Sequence, residues 1–267
     1  MAIYTLTSDW HNNDYYVGAV KGKIFSKDIS SVVVDISHKI APFGVMQAAF
    51  ILRNCYKEYP AGTIHIIAVN AVLSPSRNLL IVENAGQYFL CSDTGFPDLM
   101  FPNQDIKVYS YKVGVDEGNT FASLEVFIEV GNKLAKGEKP SAIATETTEY
   151  VHQVPWRPTI DNKLINGSVV YIDSFSNAIT NITRETFERI GEGYAFEIFV
   201  QSNHYVIDTI SKSYLDIATG DLMALFNSSD LLEIAIANGP AAELLNLKLS
   251  STIRVKFKNT KPQNTLF

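Results

Sequence analysis

The feature that most constrains the fold is an alternation of short β-branched runs with amphipathic stretches over the first 150 residues. Residues 32–34 are three consecutive valines, and an apolar run without alternation is typical of a strand buried on both faces. Such alternation predicts an α/β domain with a mainly parallel sheet. The predicted strands are 2–7, 31–36, 63–69 and 106–111, with a hairpin at 78–83 and 87–91 and helices at 14–21, 45–56 and 122–136.

The pattern changes at residues 151–159, V-H-Q-V-P-W-R-P-T, where two prolines and a tryptophan interrupt the periodicity. Short strands separated by Asn, Gly and Ser follow, which predicts a smaller all-β domain, a barrel or a sandwich. A length of 267 residues favours two domains, which we place at 1–151 and 159–267 with a linker at 152–158. The predicted strands are 167–173, 195–200, 204–210, 221–227 and 251–256, and the predicted helices are 184–190 and 240–247.

Charge and composition narrow the possible partners. The net charge is −6 and no basic cluster occurs, which argues against nucleic acid or an anionic membrane surface as a partner. No apolar run approaches the ~18 residues that a membrane span needs, and the N-terminus lacks the features of a signal peptide. Cys55 and Cys91 are expected to be reduced thiols. We therefore expect a soluble, cytoplasmic protein.

Common catalytic and cofactor motifs are absent from the sequence. No glycine-rich nucleotide-binding pattern occurs, nor a G-x-S-x-G nucleophile motif. His, Cys, Asp and Glu do not show the spacing of metal ligands, so no metal is expected. His65 lies inside an apolar strand and is expected to pack in the core. His11 and His38, which lie at strand ends beside acids, are the histidines to consider for function.

Four loops follow predicted strands and carry polar side chains. They contain Asp9, residues 35–38, 70–77 and 93–95. Ligands of α/β sheets bind outside the carboxyl ends of the strands, and a carboxylate there can accept two hydrogen bonds from a vicinal diol such as that of ribose. The structural alternative is that Asp9 and Asp35 cap helices or form turns.

Two longer segments carry a family resemblance. Residues 7–22 read T-S-D-W-H-N-N-D-Y-Y-V-G-A-V-K-G, and residues 173–182 read D-S-F-S-N-A-I-T-N-I. With 34–38 (V-D-I-S-H) and 227–235 (N-S-S-D-L-L-E-I-A), they resemble, in order, the sequence blocks of the S-adenosyl-L-methionine hydrolase family. This group, also called S-adenosyl-L-methionine hydroxide adenosyltransferases, is related to the fluorinating and chlorinating enzymes. The similarity covers nearly the whole chain.

The resemblance implies an α/β N-terminal domain and a small C-terminal β-barrel. It also implies a homotrimer, with each site between the N-terminal domain of one subunit and the C-terminal domain of the next. The ligand would be S-adenosylmethionine or another adenosine-containing small molecule, with no further cofactor. In the N-terminal domain, Asp9 would hold the ribose diol and Phe43 would pack on the nucleoside.

The resemblance also assigns roles in the C-terminal domain. Asp173 would face the methionine amino group, while Phe175 and Asn177 would flank and hydrogen-bond the adenine. Ser228 and Ser229 would meet the carboxylate or the base. An apolar wall with a few fixed polar groups suits a nucleoside pocket.

The catalytic positions are where the chain departs from the family. The family reaction is attack of water at ribose C5′, and it involves an Asp, an Arg and a His. Here the loop 70–77 reads N-A-V-L-S-P-S-R, so that Arg77 is retained but Asn70 replaces the Asp and cannot accept a proton. Ala122 takes the place of the His. Elsewhere His11 and Ser176 replace family glycines.

Three functional hypotheses follow. The chain could be a hydrolase that uses Arg77 with a substitute base, for which His11 and His38 are candidates. It could be a nucleoside-binding pseudoenzyme. It could also act with a different substrate or nucleophile, with Arg77 receiving an anion. Loss of a general base costs ~10²–10⁴ in rate, so the sequence does not separate a weakened hydrolase from a binding protein.

Overall fold

The structure is a computed structural model that describes residues 1–11, 13–113 and 121–259. The chain divides into two compact units, Met1–Pro155 and the part that begins at Trp156. The first unit is an α/β sandwich around one sheet. Its strands are β1 (Ile3–Ser8), β2 (Val32–Ser37), β3 (Ile64–Ala68), β4 (Leu79–Asn84), β5 (Gln87–Ser92), β6 (Lys107–Tyr111) and β7 (Thr145–Glu146). Its helices are α1 (Tyr16–Lys27), α2 (Val45–Arg53), α3 (Phe96–Met100), α4 (Ala122–Ala135) and α5 (Pro140–Ile143), with a 3₁₀ turn at Tyr56–Glu58.

The sheet of the first unit is mixed, which corrects the prediction of a mainly parallel sheet. In the described part of the chain its strand order is β2-β1-β3-β5-β4-β6-β7. Strands β2, β1, β3 and β5 run parallel to one another, whereas β4, β6 and β7 are joined by antiparallel pairings. The predicted β4–β5 hairpin is confirmed. It inserts β4 antiparallel beside β5, and the later strands continue that half of the sheet.

Strand β2 does not have the burial that its sequence suggests. Its three valines predicted a strand buried on both faces, but β2 is the end strand of the sheet and Val32 is 38% exposed. Strand β3, predicted in the same way, is fully buried. The difference arises because β3 pairs with β1 and β5, whereas the described residues pair β2 with β1 alone.

Two apolar cores cover the faces of this sheet. One lies under α2 and α3 and includes Leu52, Phe89 and Phe96, and the other lies under α1 and α4 and includes Ile24 and Phe127. Alternate residues of each strand enter opposite cores, as the period of two requires. Helices on both faces leave the strand ends as the edge at which loops can face a ligand.

The second unit is a nearly closed antiparallel sheet. Within the described residues its strand order is β12-β11-β15-β9-β10-β14-β13, with β8 beside β9, and the end strands β12 and β13 also touch. Its interior is one apolar cluster that includes Ile165, Ile198 and Val255. The strands are β8 (Thr159–Asp161), β9 (Leu164–Ile172), β10 (Ala178–Thr183), β11 (Phe196–Val200), β12 (Val206–Ile207), β13 (Leu222–Phe226), β14 (Leu231–Ile236) and β15 (Thr252–Phe257), and the helices are α6 (Arg184–Gly191) and α7 (Ala241–Leu244).

Three strands of this barrel-like sheet, β8, β10 and β14, were not predicted. Strands β10 (A-I-T-N-I-T) and β14 (L-L-E-I-A-I) overlap the segments that carry the family resemblance. The strand predicted at 204–210 shrinks to Val206–Ile207. Helix α6 begins as predicted, because the hydroxyl oxygen of Thr183 accepts the N–H of Thr186 as an N-cap.

Residues 150–153 are bound to the first unit through two aspartates. The carboxylate of Asp98 accepts hydrogen bonds from the Tyr150 hydroxyl (3.1 Å) and the Gln153 N–H (3.1 Å), and lies 2.9 Å from Nδ1 of His152. Asp93 accepts the N–H of Val151 at 2.8 Å. Asp93, expected among the ligand-facing strand-end residues, therefore anchors the chain as it leaves the α/β unit.

Candidate functional site

The strand-end loops of the first unit gather at one edge of the sheet. Because β1, β2, β3 and β5 are parallel, their carboxyl ends lie on the same side. Ser8 of β1 is level with Ala68 of β3, so Asp9 and Asn70 follow directly at neighbouring positions. The antiparallel strand β4 begins at this edge, which brings Arg77 to it as well. The four N-terminal positions assigned to the site are therefore close in space.

Asp9 joins two of these loops through one carboxylate oxygen. Its Oδ2 accepts the backbone N–H of Phe43 at 2.9 Å and that of Asn70 at 3.2 Å. The described residues make no hydrogen bond to its other oxygen, Oδ1. One oxygen of Asp9 thus joins two loops that are distant in the sequence, rather than capping a helix or closing a local turn.

Asn70 and Arg77 are in contact. Nη1 of Arg77 donates to Oδ1 of Asn70 at 3.3 Å, and both side chains are partly buried. A carboxylate here would form an ion pair with the guanidinium, whereas the amide offers a single neutral acceptor. Among the described residues, no acid forms a salt bridge with Arg77. Within the described residues, the Arg77 guanidinium is therefore held by a neutral amide and forms no ion pair.

Several loop residues adopt left-handed backbone conformations. Phe43 has φ 64° and Asn70 φ 50°, and His11 and Ser176 have φ 58° and 65°. His11 and Ser176 stand where the family resemblance implies glycine, the residue that adopts this conformation without steric cost. Backbone strain of this kind is typical of functional loops. Phe43, at 69% exposed, presents an apolar ring to solvent.

His38 is part of a chain of polar contacts that runs from the buried Ser8 to the surface pair Asp35 and Lys21. Its Nδ1 and the hydroxyl of Ser8 share a hydrogen bond of 2.7 Å, and its Nε2 lies 3.2 Å from Oδ1 of Asp35. Lys21 of α1 donates to the other Asp35 oxygen at 2.6 Å. Partial burial raises the pKa of Asp35, but the hydrogen bond from Lys21 and the nearby His38 and Lys21 charges outweigh it and lower this pKa overall. The backbone carbonyl of His38 accepts the N–H of His11, whose side chain is exposed.

In the second unit, Asp173 shapes the loop before β10. Its Oδ1 accepts the N–H groups of Phe175 (2.9 Å) and Asn177 (2.8 Å), and its Oδ2 accepts from Nδ2 of Asn177 at 3.2 Å. Phe175 is 78% exposed and Asn177 is buried. The loop therefore presents an aromatic ring outward, above a carboxylate and an amide that hold each other in place.

Ser228 and Ser229 lie in the turn between β13 and β14, and both are exposed. Oδ1 of Asn227 accepts the N–H of Ser229 at 3.0 Å and that of Leu231 at 3.3 Å. The 173–177 loop leads into β10 and this turn leads into β14; the two strands pair antiparallel, so the loop and the turn lie at opposite ends of the pair, with Glu233 opposite Ile179 between them.

Glu233 and Tyr214 were missed by the sequence reasoning. Glu233 is 2% exposed, and its two carboxylate oxygens accept from the Tyr214 hydroxyl at 2.6 Å and from Nδ2 of Asn227 at 3.0 Å. The available signal was a single acid inside the apolar run L-L-E-I-A-I, because a charged residue in a buried strand requires partners. Tyr214 lies in a loop without a sequence pattern.

The described residues contain no group of three or more His, Cys, Asp or Glu side chains that could hold a metal ion. Nor does the described part of the chain include a helix long and apolar enough to cross a membrane. The site thus consists of backbone N–H groups, carboxylates, amides and aromatic rings, the groups that recognise a polar organic molecule.

The fold and these loops define a protein of two units, an α/β unit and a β-barrel-like unit, each with polar loops at its strand ends. The sequence model described as "SAM hydroxide adenosyltransferase N-terminal domain" matches residues 4–144, and that of the C-terminal domain matches residues 167–254. The chain belongs to the SAM hydroxide adenosyltransferase family, which confirms the resemblance noted in the sequence.

Curated relatives agree with this assignment, and a solved structure shares the fold. The chain is 26% identical over 273 residues to the (R)-S-adenosyl-L-methionine hydrolase of Methanocaldococcus jannaschii, covering 95% of both chains. It is 24% identical to the enzyme of the same name from Thermus thermophilus, covering 93% of this chain and 97% of that one. A conserved protein from Thermotoga maritima shares the fold with a TM-score of 0.84 at 23% identity, covering 95% and 99% of the two chains.

Proposed function

We propose that the chain binds S-adenosylmethionine through its adenosine part and hydrolyses it at ribose C5′ to adenosine and L-methionine. The observation that carries this proposal is that the backbone N–H groups of Phe43 and Asn70 converge on the carboxylate of Asp9. It brings three segments that are far apart in the sequence together at the carboxyl edge of the sheet. Membership of the family and the names of the relatives support the same activity.

The side chains would divide the ligand between them. Oδ1 of Asp9 accepts from the ribose diol, and the exposed ring of Phe43 packs on the nucleoside. In the second unit, Phe175 stacks on adenine and Asn177 supports that loop. Asp173 faces the methionine amino group, and the turn with Ser228 and Ser229 offers hydroxyl and N–H groups.

In the proposed reaction, a water oxygen forms a bond to C5′ as the C5′–sulfur bond breaks. The electron pair of the C5′–sulfur bond goes to sulfur, so the sulfonium group leaves as the neutral thioether of methionine and needs no acid. The proton that the water loses passes to a base. Asn70 cannot be that base. The His38 side chain is buried and bonded to Ser8, so His11, which is exposed, is the histidine that can reach a ligand. Arg77 would orient the water and stabilise its developing negative charge. No cofactor is required.

A second candidate is a nucleoside-binding protein without turnover. The neutral Asn70 amide bound to Arg77 favours it, because this pair holds a donor and an acceptor but no carboxylate. A third candidate keeps the binding site but uses an anion, held by Arg77, in place of water. All three candidates predict binding of an adenosine-containing ligand.

One experiment separates the first two candidates. The purified protein is incubated with S-adenosylmethionine, and adenosine and methionine are followed by chromatography for wild type, Arg77→Ala and the control Arg189→Ala, which alters an exposed arginine of α6. We expect adenosine from the wild type and the control but not from Arg77→Ala. Adenosine binding without product formation would favour the second candidate, and absence of any adenosine binding would exclude the ligand assignment.

We further propose a homotrimer in which the N-terminal domain, 1–151, of one subunit completes a site with the C-terminal domain, 159–267, of the next. Family membership supports this arrangement, and light scattering tests it, since a monomer would contradict it.

We also propose a cytoplasmic location and no nucleic-acid or membrane partner, consistent with the net charge of −6.

A further inference from the structure

Glu233 is a buried acid that the proposed reaction does not use. Within the described residues no Lys, Arg or His forms a salt bridge with it. It is held instead by two neutral donors, the Tyr214 hydroxyl and Nδ2 of Asn227. Burying a carboxylate is costly unless its oxygens are hydrogen-bonded. The charged Glu233 side chain therefore holds both donors, the Tyr214 hydroxyl and the Asn227 amide, in place.

The bond to Asn227 determines how the next turn is built. With Nδ2 directed at Glu233, Oδ1 of Asn227 must face the backbone and accepts the N–H groups of Ser229 and Leu231. An amide has one donor side and one acceptor side. Glu233 therefore selects the orientation of Asn227 that holds the turn carrying Ser228 and Ser229.

The bond to Tyr214 reaches toward the other ligand loop. Burial raises the pKa of Tyr214, and the hydrogen bond and charge of Glu233 and the charge of Asp173 raise it further. Tyr214 thus remains a protonated donor at neutral pH, and its hydroxyl lies within electrostatic range of Asp173. Glu233 itself pairs across the sheet with Ile179, two residues beyond Asn177.

We propose that Glu233 is a positioning residue for the amino-acid end of S-adenosylmethionine, holding the Ser228–Ser229 turn through Asn227 and fixing the Tyr214 hydroxyl. This inference rests on the proposed function. Asp173 and Glu233 give the region a negative potential that suits an ammonium and a sulfonium group. The hydroxyl and N–H groups of the turn suit the carboxylate of methionine.

The test compares two ligands by titration calorimetry. Glu233→Gln keeps the size of the side chain but replaces one acceptor with a donor, which then faces either Asn227 or Tyr214. We expect affinity for S-adenosylmethionine to fall by about tenfold, the effect of one lost charge-assisted hydrogen bond. Affinity for adenosine, which lacks the amino-acid end, is expected to change less than about twofold.

A donor–acceptor exchange makes the test specific. In the double variant Glu233→Gln/Asn227→Asp, the amide introduced at position 233 donates to the carboxylate introduced at position 227. The other oxygen of that carboxylate still accepts the N–H groups of the turn. The affinity for S-adenosylmethionine should therefore recover at least in part. Glu197→Gln, at an exposed ion pair with Lys258 in the same unit, is the matched control and should bind both ligands as the wild type does. If Glu233→Gln does not fold, Tyr214→Phe should reduce S-adenosylmethionine affinity about threefold or more.

The outcomes are distinguishable. Unchanged S-adenosylmethionine affinity in a folded Glu233→Gln variant, or equal losses for both ligands, would overturn the positioning role while leaving the proposed function intact. If the wild type binds neither ligand, the proposed function fails and this inference fails with it.

Discussion

Arg77 donates a hydrogen bond from Nη1 to Oδ1 of Asn70 at 3.3 Å, at the carboxyl edge of the α/β sheet. The two residues open and close one loop, and Asn70 is also tied to Asp9 through its backbone N–H. The geometry is that of a cation held against an acceptor, but the acceptor is neutral. This single difference in charge separates the binding and catalytic interpretations of the site.

Replacing Asn70 with Asp should create or increase hydrolysis. Asp tolerates the left-handed backbone at this position, can form an ion pair with Arg77, and can accept a proton. General bases contribute ~10²–10⁴ in rate, so we expect at least about a tenfold rise in adenosine formation. Asn162→Asp, at a residue with the same φ of 50° in the other unit, controls for the substitution itself. No gain in a folded Asn70→Asp variant would place the base elsewhere.

Asp9 should show separate structural and binding roles. Asp9→Asn keeps an oxygen that accepts the Phe43 and Asn70 N–H groups, so the free energy of unfolding should be unchanged. The same substitution turns an N–H donor toward the ligand, so adenosine affinity should fall about tenfold. Asp9→Ala also leaves both N–H groups without their acceptor, which should lower the free energy of unfolding by about 1–3 kcal/mol. Urea unfolding and calorimetry measure the two effects. If Asp9→Asn binds adenosine as tightly as the wild type does, Asp9 does not contact the ribose.

His65 should make stability depend on pH. It is fully buried between Thr5 and Gln87 and stacked on Phe89, as its apolar strand predicted. Burial lowers its pKa from 6.5 to about 4, although the Gln87 hydrogen bond acts in the opposite direction. The unfolded chain therefore binds a proton between pH 6.5 and 4 that the folded chain does not, so the stabilisation is complete above pH 6.5 and is lost as the pH falls through that window.

The lost stability should reach about 3 kcal/mol by pH 4, at ~1.4 kcal/mol per pH unit. Urea unfolding at pH 7.5 and 4.5 measures it, and His65→Gln should show a weaker pH dependence than the wild type. The control His204→Gln, at an exposed histidine, should follow the wild type. Identical pH profiles for wild type and His65→Gln would contradict the prediction.

Ser176→Gly should stabilise the second unit. Ser176 has φ 65°, a conformation that costs an L-residue ~1–2 kcal/mol and glycine much less, offset in part by the greater chain entropy of glycine. We expect a net gain of about 0.5–1 kcal/mol, seen as a higher melting temperature. Ser174→Gly in the same loop, where φ is not positive, should give no gain. Equal effects of the two substitutions would show that the backbone of residue 176 is not strained.

The sequence alone predicted much of this protein. The β4–β5 hairpin, the buried strand β3, helix α4 and the core position of His65 follow from periodicity and residue type, which act over a few neighbouring residues. The family blocks likewise identified the loops that hold Asp9, Asn70 and Arg77. The roles of these residues, and the boundary at 152–158, stay predictions.

The tertiary structure decided the rest. Three valines in succession indicate an apolar strand but not whether a second strand covers it, so β2 could not be recognised as an end strand. The order of the sheet, and hence its mixed character, depends on competition between strands far apart in the chain. Asp9 binds N–H groups 34 and 61 residues away, and Glu233 binds a tyrosine from an irregular loop. Such contacts leave no local period, because they are formed only when the strands that carry them have packed.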